Sequence, residues 1–238
     1  MLLQLRTVFL LTFFAAWTVF CAGTTPPKKP RIVVLGAVKQ APYSKIGDPA
    51  AAGPEEKTLR TRPLLVDGRV SEWTTGESHD VTDRSFVVRR ALRINDSLPG
   101  DSGHGTSHWV WQRGPWLLVD RLTGHVTALK LPDYDPVASQ VAWFRDYAAY
   151  CGVTASGKSL FAVVAQLGTH KPVLAKKLAP YDAEHHAWPV CSLPEWQREP
   201  LRISFHPAGD AAAVSFDVVG SSAALVEGDD EPETVSKP

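Results

Sequence analysis

The chain carries no net charge, few cysteines and almost no long apolar run, and each scarcity removes a class of function. Its 25 Lys and Arg are matched by 25 Asp and Glu, giving an isoelectric point near 7.1. No surplus of cations exists to displace phosphate counterions, so general nucleic-acid binding is not expected. Apart from the N-terminal segment, no apolar stretch is long enough to span a bilayer, which excludes a polytopic membrane protein. There is no Gly-X-Y period, no sustained heptad and no long amphipathic helix with caps, so collagen-like and coiled-coil architectures drop out. What remains, with 44% hydrophobic and 21% charged residues, is composed like a folded soluble domain and not like a disordered chain.

The N-terminus reads as a targeting segment. Arg6 precedes an apolar run over residues 8–20, and the small residues Ala22 and Gly23 follow. A basic start, an apolar stretch of this length and a small-residue exit form a secretory signal peptide, with cleavage expected after Gly23. An uncleaved membrane anchor is the alternative, and Cys21 raises a lipoprotein reading that the bulky Phe20 before it disfavours. Either way the body of the protein is expected to be secreted or periplasmic. Loss of residues 1–23 leaves Cys151 and Cys191, and two thiols in an oxidising compartment are expected to pair.

The rest of the chain divides into a Pro- and Lys-rich linker (24–31), one all-β domain (32–226) and an acidic tail (227–238) expected to be disordered. Residues 32–38 are strand-like, and 40–57, with three prolines and two glycines, read as a long loop. Segments 64–66 and 70–73 flank Asp67-Gly68, a dipeptide that favours a tight hairpin turn with positive φ. The alternation in 85–94 places Phe86, Val88, Leu92 and Ile94 on one side of a strand. Arg90 interrupts that side and needs an edge or a carboxylate. A Gly- and Ser-rich loop leads to strands at 108–112, 116–120 and 126–131, with turns at Arg113-Gly114-Pro115 and Leu122-Thr123-Gly124. Further strands are predicted at 140–151, 159–167, 172–178, 201–205, 211–219 and 223–226, with an irregular stretch between 179 and 200.

One segment has a strand, a Phe-x-Pro-x-Gly turn and a second strand, and another is a degraded copy of it lacking the Pro and Gly. Ile203-Ser204-Phe205-His206-Pro207-Ala208-Gly209-Asp210 runs into Ala213-Val214-Ser215-Phe216, and Val141-Ala142-Trp143-Phe144-Arg145-Asp146-Tyr147 runs into Ala148-Ala149-Tyr150. Leu117-Leu118-Val119-Asp120 through Thr123-Gly124 to Val126 looks like the close of another such unit. Over about residues 108–220 the chain thus resembles the blades of TolB-like β-propellers, extracytoplasmic relatives of WD-repeat propellers. The resemblance implies antiparallel four-stranded meanders arranged as a small or partial propeller, a fold that mostly presents binding surfaces. At about 40–45 residues per blade the chain has room for four or five. A β-sandwich of stacked sheets is the alternative.

Several motifs imitate chemistry. Residues 152–159 (GVTASGKS) match the phosphate-cradling pattern G-x-x-x-x-G-K-[ST], with Lys158 and Ser159 in the roles of phosphate and Mg²⁺ ligands and Asp217 as an acidic partner. No βαβ series surrounds the motif, and Ala155-Ser156-Gly157-Lys158 also suits a hairpin turn, the reading preferred here. Gly100-Asp101-Ser102-Gly103 resembles the nucleophile segment of chymotrypsin-like proteases, but the His and Asp partners have no matching setting. His104 with His108, and His185-His186 with Asp182 and Glu184, could hold a metal only on suitable backbones, and neither is expected to form a specific site. No cofactor is expected.

Eight tryptophans are more telling. Trp109 and Trp111 share one side of a strand, and Trp116 and Trp143 lie in or beside strands. These four are the candidate binding residues, because a flat apolar face with a polar edge suits a sugar or a peptide; a place in the core is the alternative and the commoner role for such side chains. The sequence therefore reads as an exported binding or structural module with a protein or glycan partner. A polymer-acting hydrolase or lyase using Asp80, Asp83 or Asp101 near His79 and His104 is the second reading, and nucleotide binding at 152–159 a third.

Overall fold

The computed structural model describes residues 29–43, 58–95, 109–181, 191–208 and 212–226. Among them there is no helix, hence none long and apolar enough to cross a membrane. The chain is all-β, and its strands form three antiparallel sheets.

The first sheet holds β1 (Val33–Leu35), β2 (Lys39–Pro42), β3 (Thr58–Val66), β4 (Arg69–Asp80), β5 (Ser85–Asn95), β6 (Trp109–Asp120) and β7 (Val126–Ala128). Their order is β1-β3-β4-β5-β6-β7, with β2 pairing along the other end of β3. Asp67 and Gly68 adopt φ of 51° and 77° between β3 and β4, the turn their chemistry favours. The Asp67 carboxylate accepts the Ile32 amide at 3.0 Å and pairs with Arg31, which ties β1 to this turn and holds the carboxyl below its ordinary value. Phe86 and Val88 pack with Leu64, Leu117 and Val119, as the alternation predicts, and Arg90 finds its carboxylate in Glu72 at 3.0 Å.

This sheet curls into a half-barrel. Beyond β2, Tyr43 forms a parallel bridge with Trp111 of β6, and at the other end the Arg31 amide donates to Leu122 O at 2.9 Å. Two expectations are corrected here. The segments predicted as separate strands at 108–112 and 116–120 are, from Trp109 on, one strand, β6, because Gly114-Pro115 forms a bulge and not a turn: Arg89 pairs with Trp116 and Ala91 with Arg113, so one residue of β5 faces two of β6. Proline is tolerated at such a break because the ladder needs no N–H there. Part of the predicted 40–57 loop is strand β2, which the prolines at 42 and 49 concealed.

The second sheet is the meander β8 (Ala142–Phe144), β9 (Tyr147–Val153), β10 (Ser159–Gln166) and β11 (Leu174–Pro180). The third is β12 (Glu195–Gln197), β13 (Arg202–Phe205), β14 (Val214–Val219) and β15 (Ser222–Leu225). The predicted strand 140–151 is two strands, broken at Arg145-Asp146, and β12 lies inside the stretch read as irregular. The two blade-like segments occupy different places in their sheets, β8–β9 being the first and second strands and β13–β14 the second and third.

The sheets stack. One face of the second sheet, with Ala149, Cys151, Ala162 and Val164, packs on Ile203, Phe205, Phe216 and Val218 of the third. Its other face, with Ala148, Tyr150, Val163 and Ala165, packs on Leu131, Tyr134 and Trp143. Trp143 meets Trp116 of β6 edge-to-face at 5.2 Å, and Arg89 donates to Pro136 O at 2.5 Å, which joins the second sheet and its leading connection to the first. Burial on both faces explains why β9 is built from residues as small as Ala148 and Ala149. Cys151 and Cys191 form the expected disulfide, with Cα atoms 6.1 Å apart. The outer face of the third sheet is polar: Arg202 pairs with Asp217 at 2.7 Å and the Ser204 and Ser215 hydroxyls meet at 2.8 Å. Among the described residues the stack therefore ends at three sheets.

Candidate functional site

The four candidate tryptophans separate into two places. Trp116 is 4% exposed and Trp143 half-buried; they hold the first and second sheets together. Trp109 and Trp111 lie on the curled end of the first sheet, Trp109 being 44% exposed.

Register shows what accompanies them. The pairs Lys39↔Thr61, Ala41↔Leu59, Pro63↔Trp73, Ala91↔Arg113, Arg93↔Trp111 and Asn95↔Trp109 put Lys39, Trp73, Arg93, Trp109, Trp111 and Arg113 on one side of the sheet. Ala41, Leu59, Thr61 and Ala91 on that side are buried, whereas Gln40, Pro42, Thr58 and Arg60 on the other side are exposed, so the shared side is the inner face of the curl. Its larger side chains collect at the rim.

There the rings and cations interleave. Trp73 and Trp111 meet edge-to-face at 5.4 Å. Lys39 Nζ lies 5.8 Å from the Trp73 ring, the Arg93 guanidinium 4.5 Å from Trp109 and the Arg113 guanidinium 5.1 Å from Tyr43. Arg113 also donates to the Tyr43 hydroxyl at 2.9 Å and lies 3.9 Å from Glu77. Beside this rim is a cavity of about 280 Å³ whose lining includes Arg60, Arg62, Glu77 and Arg113. Arg62 is fixed by donation to Gly36 O at 2.8 Å and Leu35 O at 3.1 Å. Arg60, Arg62 and Arg113 thus line one cavity with a single carboxylate, Glu77, which Arg89 also approaches at 3.4 Å. A chain with no net charge concentrates cations here, next to aromatic rings.

Sequence reasoning reached Trp109 and Trp111 but missed Trp73, Tyr43 and the cations, because these come from five strands whose pairing no local pattern encodes. The only local trace is the alternation Trp109, Trp111, Arg113 on one side of β6.

The other motifs resolve more simply. In 152–159, Gly152 and Val153 end β9, Ser159 begins β10 and the residues between form a hairpin turn with Gly157 at φ 66°. A Cβ on Gly152 would lie 2.8 Å from Asp133 O, so this glycine is explained by packing. No helix follows whose N-terminus would face a phosphate. His79 and Asp80 end β4; Asp80 pairs with Arg121 at 2.6 Å, and His79 Nε2 lies 2.9 Å from Arg145 O. A carbonyl only accepts, so Nε2 carries the proton. Among the described residues no group of three or more His, Cys, Asp or Glu is placed to hold a metal. The segments 1–28, Gly100-Asp101-Ser102-Gly103, His104, His108, Asp182, Glu184, His185, His186 and the tail 227–238 lie outside the described residues. Comparison with known protein families, with curated proteins and with solved structures returns no match.

Proposed function

We propose that this chain is an exported binding module whose partner is an acidic glycan, held at the rim of the curled sheet. The observation that carries the reading is the set of three ring–cation pairs, Lys39 with Trp73, Arg93 with Trp109 and Arg113 with Tyr43, gathered on one face. Sugar rings present C–H faces that stack on indoles, and their carboxylate or sulfate groups pair with Lys and Arg. The disulfide and the N-terminal basic, apolar and small-residue pattern support an extracytoplasmic setting.

The test is affinity electrophoresis and calorimetry with polygalacturonate and heparin against neutral dextran. Retention by an acidic polymer, weakened by salt and by Trp109→Ala or Arg93→Gln, is the expected result. Equal retention by dextran, or none by either acidic polymer, refutes the reading.

A further inference from the structure

A second cavity lies where the three sheets converge. Its volume is about 760 Å³, and its lining includes His79 and Asp80 from the end of β4, Trp143 and Phe144 from β8, Arg145 from the β8–β9 turn, and Arg198 and Glu199 just past β12. Each sheet contributes one strand end. The curled rim plays no part in it.

The charges in this cleft are not balanced. Asp80 is engaged by Arg121 at 2.6 Å. Among the described residues, the Arg198 guanidinium has no carboxylate or hydrogen-bond partner, and Arg145 only overlies the Phe144 ring at 5.3 Å. Two guanidinium groups therefore face one uncommitted carboxylate, Glu199, in a concavity. Arg145 is moreover held at φ 51°, a left-handed conformation that an L side chain other than Asn or Asp rarely adopts. Its carbonyl accepts from His79 Nε2 at 2.9 Å, and His79 stacks on Trp143 with centroids 6.0 Å apart and planes 14° from parallel. A strained turn braced by a neighbouring sheet fixes where the Arg145 side chain starts, and such strain concentrates at ligand sites.

We infer that this cleft binds a carboxylate carried on a planar apolar group, the carboxylate between Arg145 and Arg198 and the apolar group against Trp143 and Phe144. Guanidinium meets carboxylate through paired N–H donors, and the aromatic wall selects the body of the ligand. Such a carboxylate can belong to a free aromatic acid or to the C-terminus of a peptide ending in Phe, and the probes separate these sources.

The full chain is titrated with benzoate, with benzyl alcohol, and with a tripeptide ending in Phe as the free acid and as the amide. The readout is the indole N–H resonance of Trp143, assigned by its loss in Trp143→Phe. Saturable shifts with benzoate or the free-acid peptide, absent with benzyl alcohol and the amide, are expected; the tighter of the two acids names the source. Arg145→Gln and Arg198→Gln each weaken binding about tenfold or more, and Glu199→Gln tightens it severalfold by removing a like charge. An unshifted Trp109 resonance in each variant shows that the fold persists. Binding of benzyl alcohol as tight as benzoate, no saturation by either acid up to about 10 mM, or affinity unchanged in the Arg145→Gln/Arg198→Gln double variant overturns the inference. Glycan binding at the rim is unaffected by any of these outcomes.

Discussion

Replacing both Cys151 and Cys191 by Ala removes the covalent link between β9 and the segment that opens the third sheet. The two positions are 40 residues apart in sequence, and both are buried, at 1% and 3% exposure. A cross-link closing a loop of that length lowers the entropy of the unfolded chain by an amount worth about 4 kcal/mol at 25 °C. Exchanging buried sulfur for a methyl hydrogen adds little beside this. For a chain of this size each kcal/mol moves the melting temperature by about 2–4 °C, so the double variant is expected to melt about 8–16 °C lower. Circular dichroism melts of the oxidised protein, the protein in reductant and the double variant check this, with the last two expected to coincide. The third sheet otherwise adheres through Ile203, Phe205, Phe216 and Val218 and through Trp196, which stacks near Phe144 and donates to Ala142 O at 3.1 Å, so Trp196 fluorescence should report its release no later than the dichroism signal. A melting temperature within about 2 °C of the oxidised parent would refute the reasoning, since a 40-residue closure would then leave the unfolded ensemble unchanged.

Arg145→Gly relieves a left-handed residue, whose cost is about 1–2 kcal/mol, against the backbone freedom glycine brings, about 0.5–1 kcal/mol; chemical denaturation should show equal or slightly higher stability, and a clear loss would show that the turn is not strained. Trp116→Ala should cost about 3–5 kcal/mol, because this ring fills the joint between two sheets, while Trp109→Ala should stay within about 1 kcal/mol in the same urea titration. The Asp120 carboxyl is held below its ordinary value of 3.8 by the Thr123 amide first, against some desolvation, and then by Arg84 and the Leu122 amide. A carboxyl lowered on folding stabilises the protein above its unfolded pKa, so that contribution should fade as pH drops below about 3.8 toward the folded value. Asp120→Asn should flatten the acid limb of a stability-against-pH profile, and an unchanged limb would remove Asp120 from the account.

The parts of this fold that could be read from the sequence are those whose cause is local. Asp67-Gly68 specifies its own turn, the alternation in 85–94 finds Phe86 and Val88 but not Val87, Arg89 and Ala91, which are buried on the opposite side, and the meanders of the last two sheets follow from short strands with short connections. The errors share a different origin. Pro115 reads as a turn former until the β5 register turns it into a bulge. Arg145 gives no turn signal because the contact that stabilises its backbone comes from His79, 66 residues earlier. Strand β2 exists because β3 offers it a ladder at Thr58–Thr61, and its own Lys-Gln-Ala-Pro has little strand character. The candidate sites were least legible for the same reason. Trp109 and Trp111 announce a face, but its cations arrive from strands separated by long connections, and the convergent cleft needs three sheets before any of its residues meet.

The polar outer face of the third sheet bears on how this architecture could be extended. Arg202 with Asp217, and Ser204 with Ser215, occupy the positions where a further packed sheet would need apolar side chains. Grafting a further four-stranded unit after β15 would bury an ion pair and two hydroxyls against a new sheet, and burial of such groups without compensation is costly. Exchanging these four residues for Val, Leu or Ile would make this face fit to pack on another sheet, and with no sheet added the same exchange would create an adhesive surface. The exposed face of this sheet is thus chemically unlike the face it buries, although both are built from the same two strands.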